Sequence, residues 1–530
     1  MSTPERPPPP PLRETDVLVV GAGPTGLMAG LVLARRGVSA LVIDQKQGPT
    51  RESRAIVVQA RSMEILDQLG LAQSVLDGGQ SALGLRLRGG RSPAGIDFAD
   101  QQQGWTPFPG AQIFEQSRTE TLLSETLIAE GRPVLFEHRL ISFEVSATED
   151  APDAERLREG LAEIPAEGLI ETLVEGPAGP LRIRARWMIG ADGASSPVRH
   201  QLGLGFEGVT DDATFCVADL RGVAGAPSDA LSVHLGQERF ALLFPLGPDG
   251  HARLIWLHGD THPEQEQALA GAREDLGIRY EKVEWFSAYR VHHRVATAFR
   301  AGPVLLAGDA AHVHSPVGGQ GMNTGLQDAH HLANLLADVA DGHLDEGALD
   351  RYEQERRPVA LTLIRATDRA FGAIGRTGRR TAFLRRRGRD VLAVLAPRLL
   401  RTRFGPYAAG LLGQFRIRYR VVQKGQVPPR WARDRAVGLR LPPTAANASA
   451  LRAMAWQLHT YGVEAARPAS VPGWIEGPLA FPPDSRTRLR VDHLYLVRPD
   501  GYVAASWPVH AGAVATADVD ATLAAYRMIR

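Results

Sequence analysis

Apolar and polar positions along the chain fall into periodic blocks, and the blocks change period at recognisable punctuation. Residues 17–20 are an unbroken apolar run, the pattern of a central parallel strand covered on both faces. A glycine-rich hexad, 21–26, follows. Residues 27–36 then carry apolar positions at helical spacing until Gly37 stops them, and 41–43 is a second short apolar run. The order from Asp16 to Asp44 is therefore strand, turn, helix, strand. Residues 187–189 and 304–307 predict two more buried strands. Alternation over 213–258 predicts antiparallel sheet. After Asn323, the residues Leu326, Ala329, Leu332, Ala333 and Leu336 line one face of a long helix. Residues 358–414 read as helical, with arginines on a solvated face. Residues 425–429 turn proline-rich and mark a linker. Beyond it, Tyr495 to Trp507 reads as two strands about an Asp-Gly turn. Two stretches look irregular: an extended tail over 1–14 with the run Pro7 to Pro11, and an acidic surface insertion over 145–180.

Composition narrows the classes. A chain of 530 residues allows roughly two to four domains. A net charge of +1 argues against a nucleic-acid binder. The single cysteine, Cys216, permits neither an internal disulfide framework nor a cysteine metal site, and fits a cytoplasmic protein. The longest apolar stretch, 17–34, is broken by Gly21, Gly23, Pro24 and Gly26, and Glu14 and Asp16 precede it. That pattern speaks against a membrane span or a secretion signal.

Three motifs carry chemistry. In Gly21-Ala22-Gly23-Pro24-Thr25-Gly26, the first glycine permits a tight turn, the second lets backbone approach a pyrophosphate, and the third lets the helix pack on the sheet. The helix N-terminus presents free N–H groups to phosphate. Asp44, at the end of the second strand, is placed to accept hydrogen bonds from a ribose. The second motif, Gly190-Ala191-Asp192-Gly193, ends an apolar strand and continues through Ser196, Pro197 and Arg199; a plain Asp-Gly turn is its alternative. In the third, a strand ends at Gly308-Asp309, and the loop from Ser315 and Pro316 to Gly321, Met322 and Asn323 opens the long helix. His312 and His314 lie two apart with no carboxylate companion, so no metal site is assigned.

These three motifs, in this order, resemble the group A flavoprotein monooxygenases of the p-hydroxybenzoate hydroxylase fold, and are most similar to the larger phenol hydroxylases and the aromatic polyketide hydroxylases. The resemblance implies an α/β fold in which an FAD-binding Rossmann-like domain (15–200 and 290–415) is interleaved with an antiparallel-sheet substrate domain (80–120 and 201–289). A C-terminal thioredoxin-like domain lacking CxxC (425–530) would follow. It implies FAD as cofactor, NADPH or NADH as co-substrate, O₂, a small aromatic substrate and a homodimer, with neither nucleic acid nor membrane as partner. The reaction would run through a flavin C4a-hydroperoxide.

By position, Gly21, Gly23, Pro24, Thr25, Gly26 and Asp44 would hold the adenosine half of FAD, Arg54 the pyrophosphate, and Gln116 the flavin. Asp309 would bind the ribityl chain. Pro316, Gly321, Met322 and Asn323 would meet the isoalloxazine. Asp192 would serve both FAD and the nicotinamide cofactor. Arg253, in HARLIWL, stands where the family often places an arginine beside the flavin, with a sheet-surface arginine as the alternative. Phe240, Phe244 and Trp256 are pocket candidates that serve equally as sheet core. Residues 285–290 resemble the family's approach to the third motif, without an assignable substrate base. The insertion near 150–168 is longer than usual. His331 stands where relatives often carry asparagine, and no consequence is attached to it.

Baeyer–Villiger oxidation or epoxidation on the same scaffold, and a flavoprotein without turnover, are the alternatives. A flavin halogenase is disfavoured, because the WxWxIP motif is missing from the sequence.

Overall fold

Two eight-stranded sheets organise the chain, and the order of strands in the first explains where the motifs meet. Its centre runs Val304–Leu306, Gly179–Gly190, Leu12–Val20, Ala40–Ile43 and Val134–Leu135, all parallel. Val17, Leu18 and Val19 are fully buried, as an unbroken apolar strand covered on both faces requires. The helices Pro24–Arg35 and Gly321–Ala340 pack on this sheet. Their approach is close: a Cβ on Gly30 would stand 2.7 Å from Val42 Cγ2. The computed structural model describes residues 10–51, 55–88, 94–147, 168–226, 228–236, 240–258, 263–314, 319–374, 402, 404–420 and 427–529.

The structure revises several element boundaries. The first strand begins at Leu12, inside the stretch read as tail, and pairs with Arg182 onward. The stretch read as one irregular insertion contains real strands: Arg139–Ala147, Gly168–Gly176 and Gly179–Gly190 form an antiparallel meander, and residues 148–167 lie outside the described residues. The helix Asp350–Ile374 runs straight through Pro358.

The second sheet includes Phe206–Arg221, Ala230–Leu235, Phe240–Pro245, Ala252–His258 and Lys282–Ala296. Its two faces separate by the two-residue period of a strand. Cys216, Ala218, Leu254 and Trp256 pack with the helix Gln265–Leu276. Phe215, Val217, Phe244, Ile255 and Val291 face the other way, with Ile56 and Val57.

The C-terminal unit has four strands in the order Glu476–Phe481, Gln457–Tyr461, His493–Val497, Val503–Pro508, with only the first pair parallel. It docks through buried charge. Arg498 bonds Glu355 at 2.8 Å and Asp500 at 2.6 Å, and His331 Nδ1 lies 2.8 Å from Asp500. His331 is thus a member of a buried ionic cluster, contrary to the reading that gave it no consequence. Among the described residues no helix is long and apolar enough to cross a membrane.

Candidate active site

Four adjacent parallel strands end at one edge of the first sheet, and each delivers a motif there. Gly21 follows Val20, Ala191 follows Gly190, Ala307 and Gly308 follow Leu306, and Asp44 follows Ile43. Backbone bonds tie the ends together: Gly21 N to Ile43 O at 2.8 Å, Ala191 N to Val20 O at 2.8 Å, and Ala307 N to Gly190 O at 2.9 Å. In open α/β sheets this carboxyl edge is where ligands bind.

The three glycines of the first motif have different reasons. Gly21 has φ +109°, and a Cβ there would stand 2.3 Å from Ala191 O. A Cβ on Gly26 would stand 1.8 Å from Gly21 O. Gly23, which starts the helix Pro24–Arg35, has ordinary angles (φ −78°, ψ −179°), and a Cβ there would meet no protein atom within 4 Å. Gly193 is equally open, though its φ of +83° also favours glycine. Among the described residues nothing requires Gly23 to be small, so the room in front of the helix N-terminus fits a phosphate group. The seat for the adenosine half of FAD passes this test.

Asp44 stands beside the turn, its Oδ2 accepting from Ala22 N at 2.6 Å and its Oδ1 from Lys46 N at 2.8 Å. Gln116, at the start of the helix Gln116–Ala129, donates to buried Glu120, which also accepts from Thr50 N at 2.7 Å and Lys46 Nζ at 3.3 Å. This knot fixes the loop 44–50 against Gln116, and sequence reasoning missed Glu120 and Thr50 because both act through tertiary contacts.

The Asp192 carboxylate faces inward. It accepts from Ser196 Oγ at 2.5 Å and Val198 N at 2.9 Å, and burial raises its pKa. Its backbone neighbours Ala191, Gly193 and Ala194 line the cavity, so the motif presents main chain rather than the carboxylate. Asp309 is exposed and lines the cavity. The turn that carries it is held from behind by Asp328, whose Oδ2 accepts from Gly308 N at 3.2 Å and lies 2.6 Å from His312 Nε2. Arg356 and His312 hold the buried Asp328 carboxyl down at about 2, against the opposing effect of burial. Gly321 and Met322 line the cavity. Asn323 does not; its side chain clamps the strand Val57–Gln59, accepting from Gln59 N at 2.8 Å and donating to Val57 O at 2.7 Å. Arg54 and Pro316 lie outside the described residues.

The cavity between these motifs and the second sheet measures about 570 Å³, within the usual range for small-molecule sites of roughly 300–1,000 Å³. Phe244, Ile255, Trp285, Tyr289 and Val291 form its apolar wall; Arg290 and His292, which alternate with them along the strand Lys282–Ala296, are exposed and border the cavity, as does His314. Trp256 points to the opposite face and is core. Arg253 lies on the cavity-side face but is 1% exposed, bonded to Asp219 at 2.6 Å through both Nε and NH2, with its guanidinium 5.3 Å from the Trp285 ring. It backs the wall rather than lining it. Among the described residues no cluster could hold a metal.

Residues 14–367 match the family described as FAD binding domain. The 6-methylpretetramide 4-monooxygenase of Streptomyces rimosus is 36% identical over 378 residues, 69% of this chain and 63% of that protein, so the chain spans less than two thirds of that relative. A flavin-dependent monooxygenase of Mycobacteroides abscessus is 33% identical over 66% of this chain and 72% of its own length. The solved structure of OxyS anhydrotetracycline hydroxylase from Streptomyces rimosus superposes with a TM-score of 0.74 at 27% identity, covering 97% of this chain and 99% of that one. The same strand-end motifs that build the cavity lie within the matched region, and the chain belongs to the FAD binding domain family.

Proposed function

We propose that this chain uses NAD(P)H and O₂ to hydroxylate a phenolic or polyketide aromatic substrate held in the cavity. The observation that carries the reading is the juxtaposition of a nucleotide-binding edge and an apolar sheet face across one space. Bound at that edge, FAD would supply the redox chemistry of nicotinamide oxidation and oxygen transfer. The N–H groups at the start of the helix Pro24–Arg35 would hold the pyrophosphate, Asp309 would meet the ribityl chain, and the N-terminus of the helix Gly321–Ala340 would offer N–H groups and a positive dipole end to the flavin. Phe244, Ile255 and Val291 keep water from the reacting face. Arg253, through Trp285, keeps that wall in place.

The C-terminal unit reads as a thioredoxin-like domain without a redox motif. Its strand order, with one parallel and two antiparallel pairings, supports this, as does the fact that Cys216 lies elsewhere in the chain. A cytoplasmic location accords with the buried free thiol of Cys216. A homodimer rests on the family resemblance alone.

The test is a visible spectrum of the purified protein, followed by NADPH and then NADH oxidation with a panel of phenols and polycyclic phenols. A flavin spectrum with phenol-stimulated nicotinamide loss supports the reading. Failure to take up FAD on reconstitution refutes it. The mass and ring connectivity of the product separate hydroxylation from Baeyer–Villiger oxidation.

A further inference from the structure

The flavin edge of the cavity has a back, and the C-terminal unit reaches it. Asp328, on the helix Gly321–Ala340, meets Gly308 N and His312 with one carboxylate oxygen and accepts from Arg356 Nε with the other at 2.6 Å. Arg356 is buried, and its two remaining nitrogens donate to Thr324 O at 3.2 Å and to the Tyr419 hydroxyl at 3.1 Å. Tyr419 is buried too, and its ring stacks on Tyr502 of the C-terminal unit, centroids 4.2 Å apart. Tyr502 N donates to Asp500, the carboxylate that pairs with Arg498 and His331 in the buried dock.

The segment that carries Tyr419 also grips the start of the helix Gly321–Ala340. Buried Gln414 donates from Nε2 to Thr324 Oγ1 at 3.1 Å and accepts at Oε1 from Gln327 Nε2. Leu412 O accepts from Gln320 Nε2 at 3.1 Å. Gln414 has φ +58°, a left-handed backbone that persists in a residue other than glycine only where its surroundings enforce it. Residues 412–419 thus pass behind both parts of the flavin end of the cavity, the turn with Asp309 and the helix start with Gly321 and Met322. A guanidinium is a rigid planar fork, so holding two of its nitrogens on Tyr419 and Thr324 aims the third at Asp328. Asp328 in turn holds Gly308 N. Close-packed interiors transmit a displacement along such a chain rather than absorb it.

We propose that Tyr419, seated on Tyr502, is a positioning residue of the flavin seat, so that docking of the C-terminal unit and binding of FAD are coupled. This rests on the FAD reading and gives the C-terminal unit a part in it. Neither tyrosine is among the residues that line the cavity, so the action runs through Arg356 and Asp328 to the turn at Gly308 and Asp309. Without the Tyr419 hydroxyl the turn visits arrangements that do not take the ribityl chain, and apparent FAD affinity falls with the fraction of competent turns. The coupling is reciprocal: FAD tightens docking by the factor by which docking raises FAD affinity.

The test uses the full chain, stripped of FAD and reloaded. Tyr419→Phe removes one hydroxyl and keeps a ring on Tyr502. Its FAD Kd, read by quenching of flavin fluorescence, should rise about fivefold or more, and the visible circular dichroism of the bound flavin should change. His343→Ala is the comparison. His343 lies just beyond the other end of the helix Gly321–Ala340 and stacks on Trp474 of the C-terminal unit, centroids 4.3 Å apart, so its loss weakens the dock without touching the chain from Tyr419 to Gly308. Its FAD Kd should stay within about twofold of wild type. In wild type, saturating FAD should slow protease cleavage of the C-terminal unit about fivefold or more, and Tyr419→Phe should lose most of that protection. The proposal is overturned if Tyr419→Phe keeps its FAD Kd within about twofold, if His343→Ala raises the Kd as far as Tyr419→Phe does, or if FAD leaves cleavage of wild type unchanged. The cleavage measurement on wild type needs no variant, so a Tyr419→Phe chain that fails to fold does not shelter the proposal. A wild-type protein that takes up no FAD sinks the parent reading instead.

Discussion

Replacing Gly23 by alanine separates a ligand requirement from a folding requirement. The backbone at Gly23 (φ −78°, ψ −179°) suits any L-residue, and the added Cβ meets no protein atom within 4 Å. A Gly→Ala change at such a position gains ~0.4–1 kcal/mol by restricting the unfolded chain. Alanine is the poorer residue at a helix start, which costs a similar amount. Apoprotein stability should therefore stay within about 1 kcal/mol of wild type. Binding is another matter. The methyl enters the space in front of the helix N-terminus and displaces a phosphate from N–H donors. A hydrogen bond to a charged group is worth ~1.5–3 kcal/mol, so losing one raises the FAD Kd about ten- to 150-fold. Urea unfolding of the apoprotein gives the first quantity, and quenching of flavin fluorescence gives the second. An apoprotein destabilised by well over 1 kcal/mol, together with FAD affinity unchanged within about twofold, would refute the argument. Gly26→Ala is the contrast, because its Cβ would stand 1.8 Å from Gly21 O and the helix cannot keep its place.

Asp328→Asn should cost about 3–5 kcal/mol in urea unfolding, since buried Arg356 loses its countercharge. In wild type the folded-state pKa of Asp328 is depressed, so its contribution is complete above the unfolded value of 3.8 and is lost as pH falls toward about 2. The variant should show a shallower acid transition across that window. Arg498→Met leaves Glu355 and Asp500 buried without the arginine they share. It should destabilise by about 3–5 kcal/mol and make the C-terminal unit the first target in limited proteolysis. Arg253→Met strips the cation from behind Trp285. Taking the contact as ~0.5–2 kcal/mol, KM for a phenol should rise about two- to thirtyfold, with more nicotinamide consumed per product formed.

Local signals made the nucleotide edge legible. Strand, glycine turn, helix and Asp44 follow one another between Leu12 and Asp44, and each is dictated by short-range sterics. That the motifs at 190 and 308 join them follows from parallel strand order, which needs only the rule that ligands bind at carboxyl ends. The sheet wall was less legible. Phe244 and Trp256 are both large and apolar, and only the register, Ala241 opposite Trp256 and Phe244 opposite Arg253, sends them to opposite faces. For Arg253 the sequence left a place beside the flavin and a place on the sheet surface open, and its cover by Trp285 and its pairing with Asp219 are tertiary facts. The strand Gly168–Gly176 was hidden because its alternation carries glutamates on the solvent side, next to an acidic stretch. His331 and Asp500 are 169 residues apart, and no local pattern announces a buried pair at that separation.

The central claim is that the cavity joins a flavin seat to an aromatic substrate for oxygen transfer. Turnover of the FAD-loaded enzyme with a phenol it responds to, under isotopically labelled O₂ and ordinary water, tests it most directly. The account predicts a product heavier by one labelled oxygen on a ring carbon, formed with nicotinamide consumption. Label arriving from water, or nicotinamide oxidation that never yields an oxygenated ring in the presence of bound FAD, would contradict it.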